Sequence, residues 1–342
     1  MRLILALTLL ATPALANDGF GGLTATGLTF GKTEAIAMER EDLFISPTKV
    51  RVDYVFRNLT DQDVTGEIIF PLPPVSLGDQ QYSAFNLPRD KGRDNLVNFT
   101  AKVDGVDIPV QIDRVAVIEP DTKWDRPPVE AYDTPGQDVT QMVTEAGMPL
   151  TVDSDAVITL LKAMPQQELK ALESKGLVGI WDNGDNTTEI LPLWSIVLRY
   201  HWTQTFPAGQ TLTIGHAYDN YPPGGLITWA DPPEEYQHDL QQKYCIDAGT
   251  SKAIVKALHR PEEQDDFGSA FDISYVLRTA NSWAAPIGHF KLTLDKGEVR
   301  NVISLCADGV KKTGPTTFVV EKDDYAPDHD LDILVVTPFD QN

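Results

Sequence analysis

The chain has 342 residues and a formal net charge of −22, with 50 acidic side chains against 28 lysines and arginines. This acidity argues against nucleic acid or anionic lipid as a partner, because both are bound through basic patches. Hydrophobic residues make up 42% of the chain, which is enough to build real cores. The length favours two domains.

The first sixteen residues predict a secretory signal peptide. Arg2 precedes an apolar stretch from Leu3 to Leu10, and Ala14-Leu15-Ala16 forms a small-x-small cleavage site. The apolar stretch is shorter than the roughly 20 residues that a membrane-spanning helix needs. We therefore expect cleavage after Ala16 and an exported, periplasmic product without a membrane span.

Two β-hairpins are predicted in the N-terminal part of the chain. Residues 50–58 alternate apolar and polar side chains with a period of two, and the chain returns through residues 67–72. The Pro-Leu-Pro-Pro segment 71–74 is expected to end the second strand, because proline cannot donate a ladder hydrogen bond. Residues 98–118 repeat the arrangement around an Asp-Gly turn. We interpret these hairpins as framework.

In the middle of the chain, apolar residues recur at the spacing of a helix. Residues 153–176 predict two short helices that meet at a bend, where Pro165 opens the second helix. A further helix is predicted at 250–260. The remaining patterns favour strands, which are expected at 191–206, 211–218, 272–278, 288–295, 299–306, 316–321 and 332–336.

These patterns predict a mainly β (α+β) fold, with antiparallel β-sandwich-like layers, a short helical insertion and one further helix. Whether the two β regions form one sandwich or two stays open at this point. The predicted divisions are a signal peptide at 1–16, a β domain at 17–130, a helical insertion or linker at 131–190 and a C-terminal β-rich domain at 191–342.

The two cysteines, Cys245 and Cys306, are expected to form a disulfide. An exported chain meets an oxidising compartment, and an even number of cysteines suits pairing. Two free buried thiols are the alternative. The bridge would place the two Cα atoms within about 7 Å of each other.

Longer stretches of the sequence resemble two known protein families. Residues 45–74, "ISPTKVRVDYVFRNLTDQDVTGEIIFPLPP", followed by "KVDGVDIPV", resemble the VIT domain, a β-sandwich. The whole chain from about residue 17 to 337 resembles a bacterial exported family named domain of unknown function 4424. The matching stretches are "MEREDLFISPTKVRVDYVFRN" at 38–58, "FPLP" at 70–73, "IGHFKLTLDKG" at 287–297 and "SLCADGVKK" at 304–312. The resemblance implies a periplasmic β-rich protein and no particular activity.

The sequence lacks the compact motifs of common enzymes and metal sites. It contains no Gly-x-Ser-x-Gly, HExxH, P-loop, GxGxxG or CxxC pattern. The Asp-x-Ser-x-Ser metal motif of von Willebrand A domains, which often follow VIT domains, is absent too. Chemistry would therefore have to come from residues that are far apart in sequence.

His201 and His216 are the strongest candidates for such chemistry. They lie on successive predicted strands joined by "PAGQ", so they could face each other in a zinc-binding or catalytic pair of a metal-dependent hydrolase. The alternative is two histidines held by hydrogen bonds on a sheet.

No cofactor is expected from the sequence, and calcium is the one candidate. Asp182, Asp185 and Glu189 surround a glycine in "WDNGDNTTE", and oxygen ligands at short spacing suit Ca²⁺. A solvated turn without any cation is the alternative.

Aromatic loops that are rich in proline and glycine are the strongest candidates for ligand contact. They span 216–229 and 282–290. Such loops either form an apolar pocket or plug the end of the sandwich. The candidate ligand-binding residues are His216, Tyr218, Tyr221, Trp229 and Trp283.

The sequence as a whole favours a non-catalytic exported envelope protein. We expect a recognition, assembly or structural module whose partner is an envelope protein or a small ligand. A metal-dependent hydrolase that uses His201 and His216, or a Ca²⁺-stabilised binding module, is the alternative.

Overall fold

The structure is a computed structural model. It describes residues 19–24, 27–30, 33–82, 86–121, 134–182, 184, 187–260, 266–277 and 282–339. The predicted signal peptide lies outside these residues.

The described strands are β1 Gly19–Thr24, β2 Gly27–Phe30, β3 Ile36–Ile45, β4 Lys49–Asn58, β5 Val64–Pro71, β6 Val75–Ser76, β7 Thr100–Val103, β8 Val106–Ile108, β9 Gln111–Ile118, β10 Gln137–Asp138, β11 Val178–Asp182, β12 Thr188–Pro192, β13 Ser195–Phe206, β14 Thr211–Asp219, β15 Gly224–Ile227, β16 Gly268–Tyr275, β17 Ile287–Asp295, β18 Val302–Leu305, β19 Lys311–Lys312, β20 Thr317–Tyr325 and β21 Leu331–Pro338. The described α-helices are Thr140–Glu145, Ser154–Ala163, Gln166–Ser174, His238–Lys243 and Ala248–Leu258. Short 3-10 helices lie at Asp79–Gln81 and Glu235–Gln237.

Two large sheets dominate the fold. The first has the strand order β10-β9-β13-β5-β1-β2, and β6 also pairs with β13. The second has the order β19-β20-β17-β3-β4-β14-β7-β8. Its strands are antiparallel except where β17 runs parallel to β3. Two smaller sheets are the pair β11-β12 and the four strands β15-β16-β21-β18. The predicted mainly β, sandwich-like fold is confirmed.

The main hydrophobic core joins the two large sheets. Alternate residues of β4, including Tyr54 and Phe56, are buried in it, as the period-two pattern predicts. Tyr200 and Trp202 of β13 enter the same core from the first sheet. A smaller second core lies between the helix Ala248–Leu258 and strands of the four-stranded sheet.

Strands from both predicted β regions share the two large sheets. β13 lies between β9 and β5, and β14 lies between β4 and β7. Residues 17–130 and 191–342 therefore contribute to a single core.

The predicted pairing between the strands at 50–58 and 67–72 is wrong. β4 belongs to the second sheet and β5 to the first, so the polar turn between them crosses from one sheet to the other. Asn58 stabilises this turn between the sheets, because its side-chain amide donates hydrogen bonds to the carbonyls of Gln62 at 2.8 Å and Phe206 at 2.9 Å. The second predicted hairpin is present, since β7 pairs with β8 across Asp104 and Gly105. Both turn residues have positive φ, as a type I′ turn requires.

The helices of the central segment follow the predicted pattern. Ser154–Ala163 begins at Asp153, whose carboxylate accepts a hydrogen bond from the Ala156 amide at 3.2 Å. Pro165 separates this helix from Gln166–Ser174. Within the part of the chain that the structure describes, no helix is long and apolar enough to cross a membrane.

Candidate functional site

A cavity of about 330 Å³ lies where strand ends of three sheets meet. Sites for small molecules are usually apolar cavities of roughly 300–1,000 Å³. The lining comes from five separate segments, which are Phe70–Pro73 with Val75, Leu87–Pro88, Leu96–Val97, Tyr218–Pro223 and Asp272–Val276.

The walls of the cavity are built where prolines end regular pairing. β5 ends at Pro71, and after the proline-rich segment the chain pairs again with β13 of the first sheet through β6. The loop after β14 is held from both sides. The carbonyl of Pro222 accepts a hydrogen bond from the Asn86 side chain at 3.0 Å, and that of Pro223 accepts one from the Asp272 amide at 2.9 Å. These contacts hold the loop after β14 against its neighbours.

Stacked aromatic rings support one side of the cavity. The rings of Phe70 and Tyr218, which both line it, have centroids 5.0 Å apart. Behind them lies His216, whose ring centroid is 5.1 Å from that of Phe70 and 5.4 Å from that of Phe99. His216 is buried and is not part of the lining. It therefore supports the wall from behind.

The polar side chains of the lining already have protein partners. Asp219 accepts hydrogen bonds from Asn98 at 2.6 Å and from Lys49 at 3.2 Å. Burial raises the pKa of Asp219, but these hydrogen bonds outweigh it and hold the pKa below its ordinary value. Asp272 pairs with the Lys243 ammonium at 2.6 Å.

Hydroxyl groups at the cavity are also engaged. The Tyr221 hydroxyl accepts a hydrogen bond from Arg93 at 3.3 Å, and the Tyr275 hydroxyl lies 3.5 Å from that of Tyr54. Ser274 donates to Asp332 at 2.9 Å. None of the described lining residues is a histidine or cysteine.

The structure divides the predicted ligand-binding residues into two groups. Tyr218 and Tyr221 line the cavity, with His216 behind them. Trp283 is buried in the main core against Phe56, and Trp229 is buried in the second core, where its indole N–H donates to Ser251 at 2.9 Å. The two tryptophans do not contribute to the cavity.

The remaining lining residues are ones that the sequence analysis missed. Phe70–Pro73 was interpreted as framework, yet this strand end forms a wall of the cavity. The proline pairs in these segments were the only sequence feature that marked the cavity walls, because a proline ends the regular pairing of the strand that contains it.

The structure does not bring His201 and His216 together. β13 and β14 follow each other in sequence but belong to different sheets. Side chains alternate along a strand, so His201 lies on the face of β13 opposite the core residues Tyr200 and Trp202, whereas His216 lies within the core. The first sheet therefore separates the two imidazoles.

His201 has a carboxylate partner on each side of its ring. Its Nδ1 atom lies 2.7 Å from Glu67 Oε1, and its Nε2 atom lies 3.4 Å from Asp113 Oδ2. Glu67 also accepts a hydrogen bond from Thr203 at 2.9 Å. These residues form a polar cluster on the sheet, in which the Nε2 atom of His201 lies near Asp113 but makes no hydrogen bond.

The predicted calcium loop is only partly described. Asp182 accepts a hydrogen bond from the Gly184 amide at 2.9 Å. A hydrogen bond to the Glu189 carboxylate raises the pKa of Tyr82. Asp185 lies outside the described residues. Among the residues that the structure describes, no group of three or more histidine, cysteine, aspartate or glutamate side chains could hold a metal ion.

Calcium binding at this loop therefore stays a prediction. If Asp182, Asp185 and Glu189 bind Ca²⁺, millimolar Ca²⁺ should raise the melting temperature, because a ligand that binds only the folded state stabilises it. The substitution Asp185→Ala should abolish that rise in a thermal melt. A wild-type melting temperature that does not respond to Ca²⁺ would leave the loop as a plain turn.

The predicted disulfide between Cys245 and Cys306 is present. Their Cα atoms are 5.0 Å apart, within the expected limit. Cys245 follows the helix His238–Lys243 and Cys306 follows β18, so the bridge ties the helical segment to the four-stranded sheet.

The fold and the cavity together define a mainly β protein with a largely apolar cavity. The chain matches the family described as "Domain of unknown function (DUF4424)" over residues 16–334, and it belongs to that family. No curated protein sequence matches it. Among solved structures, the chain is similar to a candidate nutrient binding protein from Legionella pneumophila, with 15% sequence identity and a TM-score of 0.42. That match covers 94% of this chain and 72% of the other.

Proposed function

We propose that the protein is an exported, non-catalytic recognition module that binds a small, largely apolar molecule in the cavity. The cavity itself carries this proposal. Its aromatic and proline walls offer apolar contact area, and hydrogen bonds fix them in place. Burial of apolar surface contributes roughly 25 cal/mol per Å², and preformed walls avoid the entropy cost of ordering a loop.

A binding role is favoured over a hydrolase. The hydrolase alternative requires His201 and His216 in one site, but these residues lie in different sheets and contact different partners. His201 is engaged with Glu67 and Asp113, and none of these three residues lines the cavity. The polar side chains that line it make hydrogen bonds to neighbouring protein groups, whereas the Oδ1 atom of Asp272 is buried without a hydrogen-bond partner and is left to orient a ligand.

Export into the periplasm is part of the proposal. The leader-like sequence of residues 1–16 supports it. The bridge between Cys245 and Cys306 supports it as well, because structural disulfides persist mainly in oxidising compartments. The N-terminal strands resemble a VIT-type sandwich, and such a sandwich would provide the module with a rigid β framework. A binding protein of this kind delivers its ligand to an envelope partner or senses it there.

A wall variant and a matched surface variant test the binding site. We expect 4-tert-butylbenzyl alcohol to bind the wild-type protein in a calorimetric titration. Tyr221→Ala should weaken that binding about tenfold, because losing about 50 Å² of apolar contact costs about 1.3 kcal/mol. Tyr236→Ala is the control, since Tyr236 is 65% exposed and lies outside the lining.

The control separates a local effect from a loss of folding. Tyr236→Ala should bind the alcohol as the wild type does, and both variants should keep the wild-type circular dichroism spectrum. Absence of binding to the wild-type protein, or an equal loss in both variants, would contradict the cavity as the binding site.

A further inference from the structure

The charged side chains among the described lining residues of the cavity are acidic. Among the described residues that line it, Asp219 and Asp272 are aspartates and none is a lysine, arginine or histidine. The protein as a whole carries a formal net charge of −22. An anionic ligand would therefore meet repulsion both at long range and inside the cavity.

The backbone of the lining offers more hydrogen-bond acceptors than donors. Five of the lining residues are prolines, which are Pro71, Pro73, Pro88, Pro222 and Pro223. Proline has a carbonyl acceptor but no N–H donor. The carbonyls of Pro222 and Pro223 already accept hydrogen bonds from Asn86 and Asp272, but none of the five prolines can donate one to a carboxylate ligand.

The aromatic lining adds an independent preference for positive charge. Four aromatic residues line the cavity, namely Phe70, Tyr218, Tyr221 and Tyr275. The face of an aromatic ring is electronegative and attracts an organic cation, by about 0.5–2 kcal/mol depending on desolvation. Grouped rings with nearby carboxylates are a recognised way to bind ammonium groups.

Three protein cations next to the lining balance part of its negative charge. Lys49 pairs with Asp219, Lys243 pairs with Asp272, and Arg93 donates to the Tyr221 hydroxyl. None of the three is among the described residues that line the cavity. The Lys243 ammonium is also 3.8 Å from Asp332, so it has a second carboxylate partner.

We propose that the ligand of the cavity is an organic ammonium ion with an apolar body. This inference rests on the proposed function and names the ligand class for the same site. The apolar body packs against the proline and leucine side chains, and the ammonium group lies near the aromatic faces, the carboxylates and the proline carbonyls.

Three probes that share one apolar body test the charge preference. They are 4-tert-butylbenzylammonium, 4-tert-butylbenzyl alcohol and 4-tert-butylbenzoate, each titrated calorimetrically into the full-length mature protein. We expect the ammonium probe to bind about tenfold more tightly than the alcohol, and the benzoate to bind most weakly. High salt should reduce the difference between the ammonium and the alcohol.

Variants of the two lining aspartates test whether these carboxylates cause the preference for the ammonium probe. Asp219→Asn and Asp272→Asn should each lower the ratio of ammonium to alcohol affinity about threefold, with the alcohol affinity kept within about twofold. The alcohol thereby reports that the cavity of each variant is intact. Asp107→Asn is the matched control, because Asp107 is an exposed aspartate paired with Lys102 at 3.5 Å and lies outside the lining.

The outcomes separate this inference from the proposed function. If the alcohol binds in the cavity but the ammonium binds no more tightly, or the benzoate binds best, the inference is overturned and the proposed function stands. The inference is also overturned if both aspartate variants keep the wild-type ratio. If no probe binds, both fail.

Discussion

Replacing Trp283 by alanine is expected to lower the free energy of unfolding by about 3–5 kcal/mol. Trp283 is only 2% exposed, and its ring centroid lies 4.5 Å from that of Phe56 in the main core. Phe56 in turn makes an edge contact at 5.9 Å with Phe206 of the first sheet. The substitution would therefore leave a cavity where the two large sheets meet.

Urea denaturation followed by circular dichroism measures this loss. The matched control is Trp181→Ala, because Trp181 is 46% exposed and should cost about 1 kcal/mol or less. A Trp283→Ala variant as stable as the control would contradict the core assignment. Since the substitution disturbs the core, a loss of ligand binding in this variant would say nothing about ligand contact.

Removing the disulfide is expected to cost about 4 kcal/mol of unfolding free energy. The bridge between Cys245 and Cys306 closes a segment of 61 residues, and the cross-link lowers the entropy of the unfolded chain. The double substitution Cys245→Ser and Cys306→Ser should therefore unfold at a clearly lower urea concentration. Reduction of the wild-type protein should lower its midpoint by a similar amount.

Thiol labelling gives an independent readout of the bridge. The wild-type protein, unfolded without reductant, should show no reactive thiol, because both cysteines are paired. Two labelled thiols per chain would contradict the bridge. Labelling after reduction serves as the positive control, and it should modify both cysteines.

Local features of the fold were predictable because they depend on neighbouring residues. The alternation along β4 placed Tyr54 and Phe56 in the core, and Asp153 and Pro165 marked helix ends. The cysteine pairing followed from the predicted export of the chain. Each of these inferences uses only a short stretch of sequence or a simple count.

The pairing of strands and the cavity depend on contacts that are distant in sequence. A polar turn after β4 or β13 has the same composition whether the next strand pairs with its neighbour or crosses to the other sheet. The cavity combines five segments from Phe70 to Val276, so no local pattern could collect them. Tyr218 and Tyr221 were found only because aromatic residues cluster in their own loop.

The most direct test of the central claim is an intermolecular NOE measurement on the protein bound to 4-tert-butylbenzyl alcohol. This account predicts NOEs from the tert-butyl protons to the ring protons of Tyr218, Tyr221 and Tyr275, which line the cavity. NOEs to the exposed ring of Trp181 alone, or an absence of any NOE to the lining residues, would contradict the cavity as the ligand-binding site.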